Sequence, residues 1–128
     1  MFIMRVLVLA ALIVGLVQAS AGAADCKSAM TTRDMVQCMQ DELATREAEL
    51  SALVTKIEER LTANQLILLK ASQHAWESFR FSNCSSARSL NDEGTMAPLT
   101  FVGCMVAMTE WRTTDLKEVY GSVLNGSK

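Results

Sequence analysis

Val6 to Val17 is an unbroken apolar run of twelve residues, set behind a short leader that carries one positive charge, Arg5. The run is too short for a finished membrane span, which needs about 20 apolar residues. Small residues follow it, with two A-x-A sites at Ala19-Ser20-Ala21 and Ala21-Gly22-Ala23. That order predicts a secretory signal peptide over residues 1–24, removed from the mature protein. Residues 25–128 then fold in an oxidising compartment, where four cysteines in a small chain point to disulfides. Lipid attachment at Cys26 is disfavoured, because Asp25 stands directly before it where a small residue is needed. The expectation is a periplasmic or secreted protein that is not a lipoprotein and makes no membrane insertion after cleavage.

Cleavage after Ala24 leaves a chain of one-domain size. Arg5 is the one base in the leader and no acid lies there, so eleven bases face fourteen acids in the mature chain, a net charge of −3. The chain has no basic block and no basic patch interleaved with aromatics, which argues against nucleic acid as a partner.

One proline and an abundance of Leu, Ala, Met, Glu and Lys favour helices. A first long helix is predicted to start at Thr31 or Thr32, where Thr31 and Asp34 have capping spacing. Its apolar side runs from Met35 through Cys38, Met39, Leu43, Leu50, Leu53, Val54 and Ile57 to Leu61, with Glu42, Arg46, Glu49, Lys56 and Glu59 read as solvated. Thr62-Ala63-Asn64 marks a break. A second helix is predicted from about Gln65 to Asn83, with Leu66, Leu69, Trp76 and Phe79 inward. Ser85 to Thr95 reads as a polar loop closed by Gly94. Pro98 suits the first turn of a third helix, whose apolar positions include Leu99, Phe101, Val102, Met105, Met108, Trp111, Leu116 and Val119; the end beyond Gly121 is expected to fray. The fold class is therefore all-α: a small three-helix bundle, a long antiparallel hairpin plus a closing helix, with two disulfides.

Helix rise brings the cysteines to one end. Cys38 lies about 37 Å before the Ala63 turn and Cys84 about 31 Å after it, while Cys104 sits roughly 9 Å into the third helix. Four cysteines allow three pairings, and sequence alone does not choose among them. The favoured pairing is Cys26–Cys38, tying down the leader of the first helix, with Cys84–Cys104, closing the loop. No C-x-x-C pair exists and His74 is the single histidine, so a zinc site is disfavoured. The methionines at Met30, Met35, Met39, Met96, Met105 and Met108 raise Cu(I) binding, but Met35/Met39 and Met105/Met108 have core spacing and read as filler. No metal or cofactor is expected.

The most specific pattern is Gln73-x-x-Trp76-x-x-x-Arg80-x-x-x-Cys84, followed by Cys104 and Thr109-x-x-Arg112-x-x-x-Leu116. Trp76, Arg80 and Cys84 share a helix face, and an arginine one turn from a tryptophan can rest on the indole. With its leader, four cysteines and Gly94-Thr95 loop, this pattern resembles the LprI-type lysozyme-inhibitor N-terminal domain family over nearly all of residues 25–128. Phe81 stands where that family often has aspartate, and Glu93 where it often has glycine. The resemblance implies a small exported helical domain that binds a protein partner, lysozyme being the one its name suggests.

From the residues themselves, Gln73, Trp76, Arg80, Thr109, Arg112 and Leu116 read mainly as a structural brace. No nucleophile elbow, zinc-protease motif or phosphate loop occurs, and His74 has no partner set, so no catalytic residue is expected. Leu90, Asp92 and Glu93, in a loop held between cysteines, are the candidate partner contact. The reading of function is an exported envelope binding protein, with lysozyme inhibition the leading activity. The alternative is a structural or accessory envelope protein that binds a periplasmic partner without inhibiting an enzyme.

Overall fold

A computed structural model describes residues 26–91 and 94–126; the expected cleavage point after Ala24, and Asp92 and Glu93, lie outside them. A single 3-10 turn at Cys26–Ser28 precedes α1 (Thr32–Glu58), α2 (Ala63–Ser89), α3 (Ala97–Val119) and a one-turn α4 (Gly121–Leu124), with no strand among the described residues.

The helix ends follow local chemistry. Thr31 caps α1 by accepting the Asp34 amide at 3.1 Å. At the next start, Thr62 accepts the Gln65 amide while the Gln65 side chain accepts the Thr62 amide at 2.9 Å, a reciprocal pair that satisfies two orphan donors. The chain therefore turns sharply between Glu58 and Ala63. Pro98 sits in the first turn of α3, where a missing amide costs no helix hydrogen bond.

Helix α2 runs six residues beyond the expected end at Asn83, through Ser85–Ser89. Its serines suggest a loop, but Cys84 is wholly buried against α3, and Ser85 and Ala87 are half-buried beyond it. Packing has overridden composition, as it commonly does for residues of middling helix propensity. The connection to α3 shrinks to a short turn in which the Gly94 amide donates to the Asn91 carbonyl at 2.8 Å. A Cβ on Gly94 would sit 3.0 Å from that carbonyl oxygen, so glycine suits this turn.

The antiparallel hairpin is present, and α3 is its keel. Helix α3 packs extensively on both α1 and α2, whereas these two approach each other little along their backbones. Arg60 donates to the carbonyl of Leu124, 64 residues on, and Arg46 meets Glu110 at the same offset, so α1 and α3 run parallel and in step. Contacts of Arg80 with Thr109 and Cys84 with Cys104 set α2 antiparallel to α3. The core gathers Leu50, Leu53, Ile57, Leu69, Trp76 and Leu116, with Val54, Leu61, Tyr120 and Leu124 packed around it.

Five sequence expectations are corrected. Phe79, Trp111 and Val119 were expected inward but are 59, 61 and 64% exposed, because the seam between α2 and α3 carries no further helix over its outer side. Glu42 was expected in solvent and is buried, held by Arg46. The end beyond Gly121 was expected to fray and instead forms α4, drawn in by Tyr120, Leu124 and the Arg60 bonds to the Val123 and Leu124 carbonyls.

The disulfides are Cys26–Cys38 and Cys84–Cys104. By the α1–α3 offset, Cys38 is level with Val102, so both bridges lie at the end opposite the α1–α2 turn. Replacing Cys84 and Cys104 together with alanine is expected to lower unfolding free energy by about 3 kcal/mol, the loop-closure value for a separation of 20 residues. Ile57→Ala, at a wholly buried position, should cost about 2–5 kcal/mol. Urea titration followed by circular dichroism checks both.

Candidate functional site

The motif residues converge on one indole. Trp76, on the buried face of α2, has the Arg80 guanidinium carbon 4.7 Å from its ring centroid and that of Arg112 5.9 Å away. Arg80 is one turn along α2 from Trp76, whereas Arg112 reaches in from α3. Each cation–π contact contributes about 0.5–2 kcal/mol, rising with desolvation.

Both guanidiniums are also anchored at their far sides. Arg80 Nη1 donates to Thr109 Oγ1 on α3 at 2.7 Å and meets Glu47 Oε1 on α1 at 3.0 Å, so one side chain ties three helices. The Thr109 hydroxyl, wholly buried, donates in turn to the Met105 carbonyl at 2.7 Å. Arg112 donates from Nε to Gln73 Oε1 at 2.8 Å, from Nη2 to Ser72 Oγ at 2.9 Å and from Nη1 to Asp115 Oδ2 at 2.6 Å. Leu116, one turn beyond Arg112, closes the core beneath. Lysine, with its single ammonium centre, could not reproduce this planar fork.

Arg80 Nε and Trp76 Nε1 are buried without a hydrogen-bond partner among the described residues. The first belongs to a guanidinium lying over the indole, whose negative face offsets part of the desolvation cost.

Because α3 holds α1 and α2 apart, an open groove of about 430 Å³ runs between them beside this cluster. Trp76 and Arg80 contribute to its wall, and Glu47, Glu58, Lys70, His74 and Glu77 supply its polar lining. Its size lies in the range of small-ligand clefts. Among the described residues no group of His, Cys, Asp or Glu is arranged to hold a metal.

Gln73, Trp76, Arg80, Thr109, Arg112 and Leu116 thus form one connected assembly. Leu90 stands apart from it, 83% exposed at the C-cap of α2 and about 21 Å from Trp76 by helix rise. Its two companions in the proposed contact, Asp92 and Glu93, lie outside the described residues. The turn around Leu90 is steadied by Asn91 Nδ2 donating to Thr100 Oγ1 at 2.8 Å.

Sequence reasoning missed a second assembly. Arg46 contacts Glu42 at 2.7 Å, Glu49 at 3.1 Å and, across to α3, Glu110 at 3.0 Å. The hydrogen bond to Glu49, with further support from Glu42 and Glu110, holds the Arg46 pKa above its ordinary value against the opposing effect of desolvation. The i−4 and i+3 carboxylates were visible as spacing; Glu110, which belongs to another helix, was not. Glu47, the α1 partner of Arg80, was missed for the same reason.

A disulfide-closed helical module, its helices cross-tied by arginines, is the class of protein this geometry defines. The chain belongs to the lysozyme inhibitor LprI family, whose model matches residues 23–116. The match ends at Leu116, so the last turn of α3 and all of α4 lie beyond it. An uncharacterized protein of Rhizobium meliloti (strain 1021) is 27% identical over 114 residues, covering 79% of this chain and 82% of its own length. No solved structure matches. No helix among the described residues is long and apolar enough to cross a membrane.

A double-mutant cycle on Trp76→Leu and Arg80→Met is expected to give a coupling energy of about 0.5–2 kcal/mol in chemical denaturation. Additive losses would show that the guanidinium–indole contact contributes nothing of its own.

Proposed function

We propose that the protein is exported, loses residues 1–24, and acts in the periplasm or cell envelope by binding a protein partner, with lysozyme inhibition as its activity. The observation that carries this reading is the family match over residues 23–116, most of the chain left after cleavage. It requires no catalysis by the chain itself.

Charge and shape support the reading. Lysozymes of the animal type are basic and cut glycan between two carboxyl groups in a cleft. A module with net charge −3 after cleavage is steered toward such a surface at low ionic strength. Leu90, Asp92 and Glu93 are the proposed contact: Leu90 is an exposed apolar side chain at the C-cap of α2, steadied by the Cys84–Cys104 bridge and the Asn91–Thr100 bond, and the two acids follow closely in sequence. Such pinning reduces the entropy lost on binding. In this proposal Gln73, Trp76, Arg80, Thr109, Arg112 and Leu116 act as the brace that keeps α2 and α3 in register behind the turn.

Muramidase turnover on peptidoglycan is expected to fall as purified mature protein is added. Undiminished turnover at about 100-fold molar excess, against animal and bacterial lysozymes alike, would remove the inhibitor reading. Recovery of one stoichiometric envelope protein in the same preparations would then favour the accessory role. Where inhibition is seen, replacing Leu90, Asp92 and Glu93 together with alanine should weaken it at least tenfold with thermal unfolding unchanged, since truncation of central contacts typically costs over 1 kcal/mol.

A further inference from the structure

The groove between α1 and α2 is blind at one end. Arg80 on α2 and Glu47 on α1 meet there at 3.0 Å, and among the described residues no side chain beyond this pair on either helix lines it. From that bridge the groove runs back to Lys70, about 15 Å along α2 by helix rise, where Glu58 stands on the opposite wall. Leu50, Val54 and Trp76 give it an apolar strip.

The blind end holds two donors with nothing to bond. Trp76 is 7% exposed, and its Nε1 has no partner among the described residues; nor has Nε of Arg80, one turn further along the same helix. A buried N–H left unpaired has given up water for nothing, so native structures hold few of them. The indole face beneath the guanidinium offsets part of the loss for Arg80 and none of it for Trp76 Nε1.

Charge narrows the acceptor these donors can take. Arg80 is already matched by Glu47, while Glu58, Glu77 and Lys70 make no ion pair among the described residues. Counting Glu47, Glu58 and Glu77 against Lys70 and Arg80, the groove carries −1. An anion is repelled there, and at the blind end its oxygens would lie beside the Glu47 carboxylate. Neither end of a peptide suits the place: the carboxylate is an anion, and the ammonium has no acceptor to offer. A neutral carbonyl oxygen has two lone pairs, one for each N–H. Further along, Glu58 and Glu77 accept only and Lys70 donates only, so groups that do both are needed side by side. Hydroxyls meet that need, and the C–H face of a sugar ring suits the apolar strip.

We propose that the groove binds a short neutral saccharide ending in an acetamido sugar. Its acetyl carbonyl accepts from Trp76 Nε1 and Arg80 Nε at the blind end, and its ring hydroxyls bond Glu77, Glu58 and Lys70. Both nitrogens are buried, so the carbonyl enters as a rim side chain such as the exposed Glu77 swings out, the kind of rotamer change common on binding. The site lies apart from the Leu90 turn and needs no lysozyme, so it stands or fails separately from the inhibitor reading.

Nitrogen–proton correlation spectra of the mature protein, with both disulfides formed, follow the Trp76 indole N–H directly, and Trp111→Phe assigns it. Titration with the β-1,4-linked trimer of N-acetylglucosamine is expected to move that resonance downfield and saturate, with Kd below about 1 mM, while the exposed Trp111 indole stays in place. Cellotriose, which has hydroxyls in place of the acetamido groups, should bind at least about tenfold more weakly. The same loss is expected for the trimer on Ser51→Trp, which fills the groove from an exposed position of α1 with thermal unfolding unchanged. No movement of the Trp76 resonance up to about 10 mM trimer, equal binding of cellotriose, or undiminished binding to Ser51→Trp would each overturn the proposal. So would tighter binding of inorganic phosphate or of trialanine, which would make the groove an anion or peptide site.

Discussion

The contact of the Arg80 guanidinium with the indole of Trp76, 4.7 Å away, lies where all three long helices meet. From that position Arg80 reaches Glu47 on α1 and Thr109 on α3, so the tilt of α2 against both neighbours is set at one side chain. Arg112 approaches the same ring from α3 and takes Gln73, Ser72 and Asp115 as its anchors. A tryptophan is large enough to serve two cations, and its burial removes the competing water that would weaken each contact.

The same device recurs at every seam. Arg46 joins α1 to α3 through Glu110, and Arg60 draws α4 onto the α1–α2 turn through backbone carbonyls. Exposed ion pairs contribute little, typically 0–1 kcal/mol. The side chains of Arg80 and Arg112, however, are only 12 and 10% exposed and each makes several bonds at once. In a domain of this size the hydrophobic core is thin. Planar five-donor forks and two disulfides supply the cross-links that a larger apolar interior would otherwise provide.

The placement of α3 between α1 and α2 divides the surface by chemistry. On one side the separated helices leave a groove lined with charged side chains; on the other, the α2–α3 seam leaves Phe79, Trp111 and Val119 exposed. The turn after α2 forms a third region at the disulfide end. The wall residues of the groove are partly those of the brace, so changes at Trp76 or Arg80 would alter stability and groove shape together.

Much of this arrangement was legible in the residues. Thr31 with Asp34 announced the start of α1, the break at Thr62-Ala63-Asn64 announced the turn before α2, Pro98 announced α3, and helix rise brought the cysteines to one end, because caps, rise and periodicity are local properties of the chain. Helix spacing also marked Trp76, Arg80 and Arg112 as a bracing set. Only the tertiary structure decided which side of each helix found a neighbour. Phe79, Trp111 and Val119 have apolar spacing but no helix above them, whereas Glu42 has a polar identity and a buried place beside Arg46. Partners such as Glu47 for Arg80 and Glu110 for Arg46 sit on other helices, and no periodicity within one helix can specify a cross-helix pair. The extension of α2 through Ser89 and the docking of α4 were decided the same way: burial of Cys84 and of Leu124 against distant residues outweighed the local preference of serine and glycine for irregular chain.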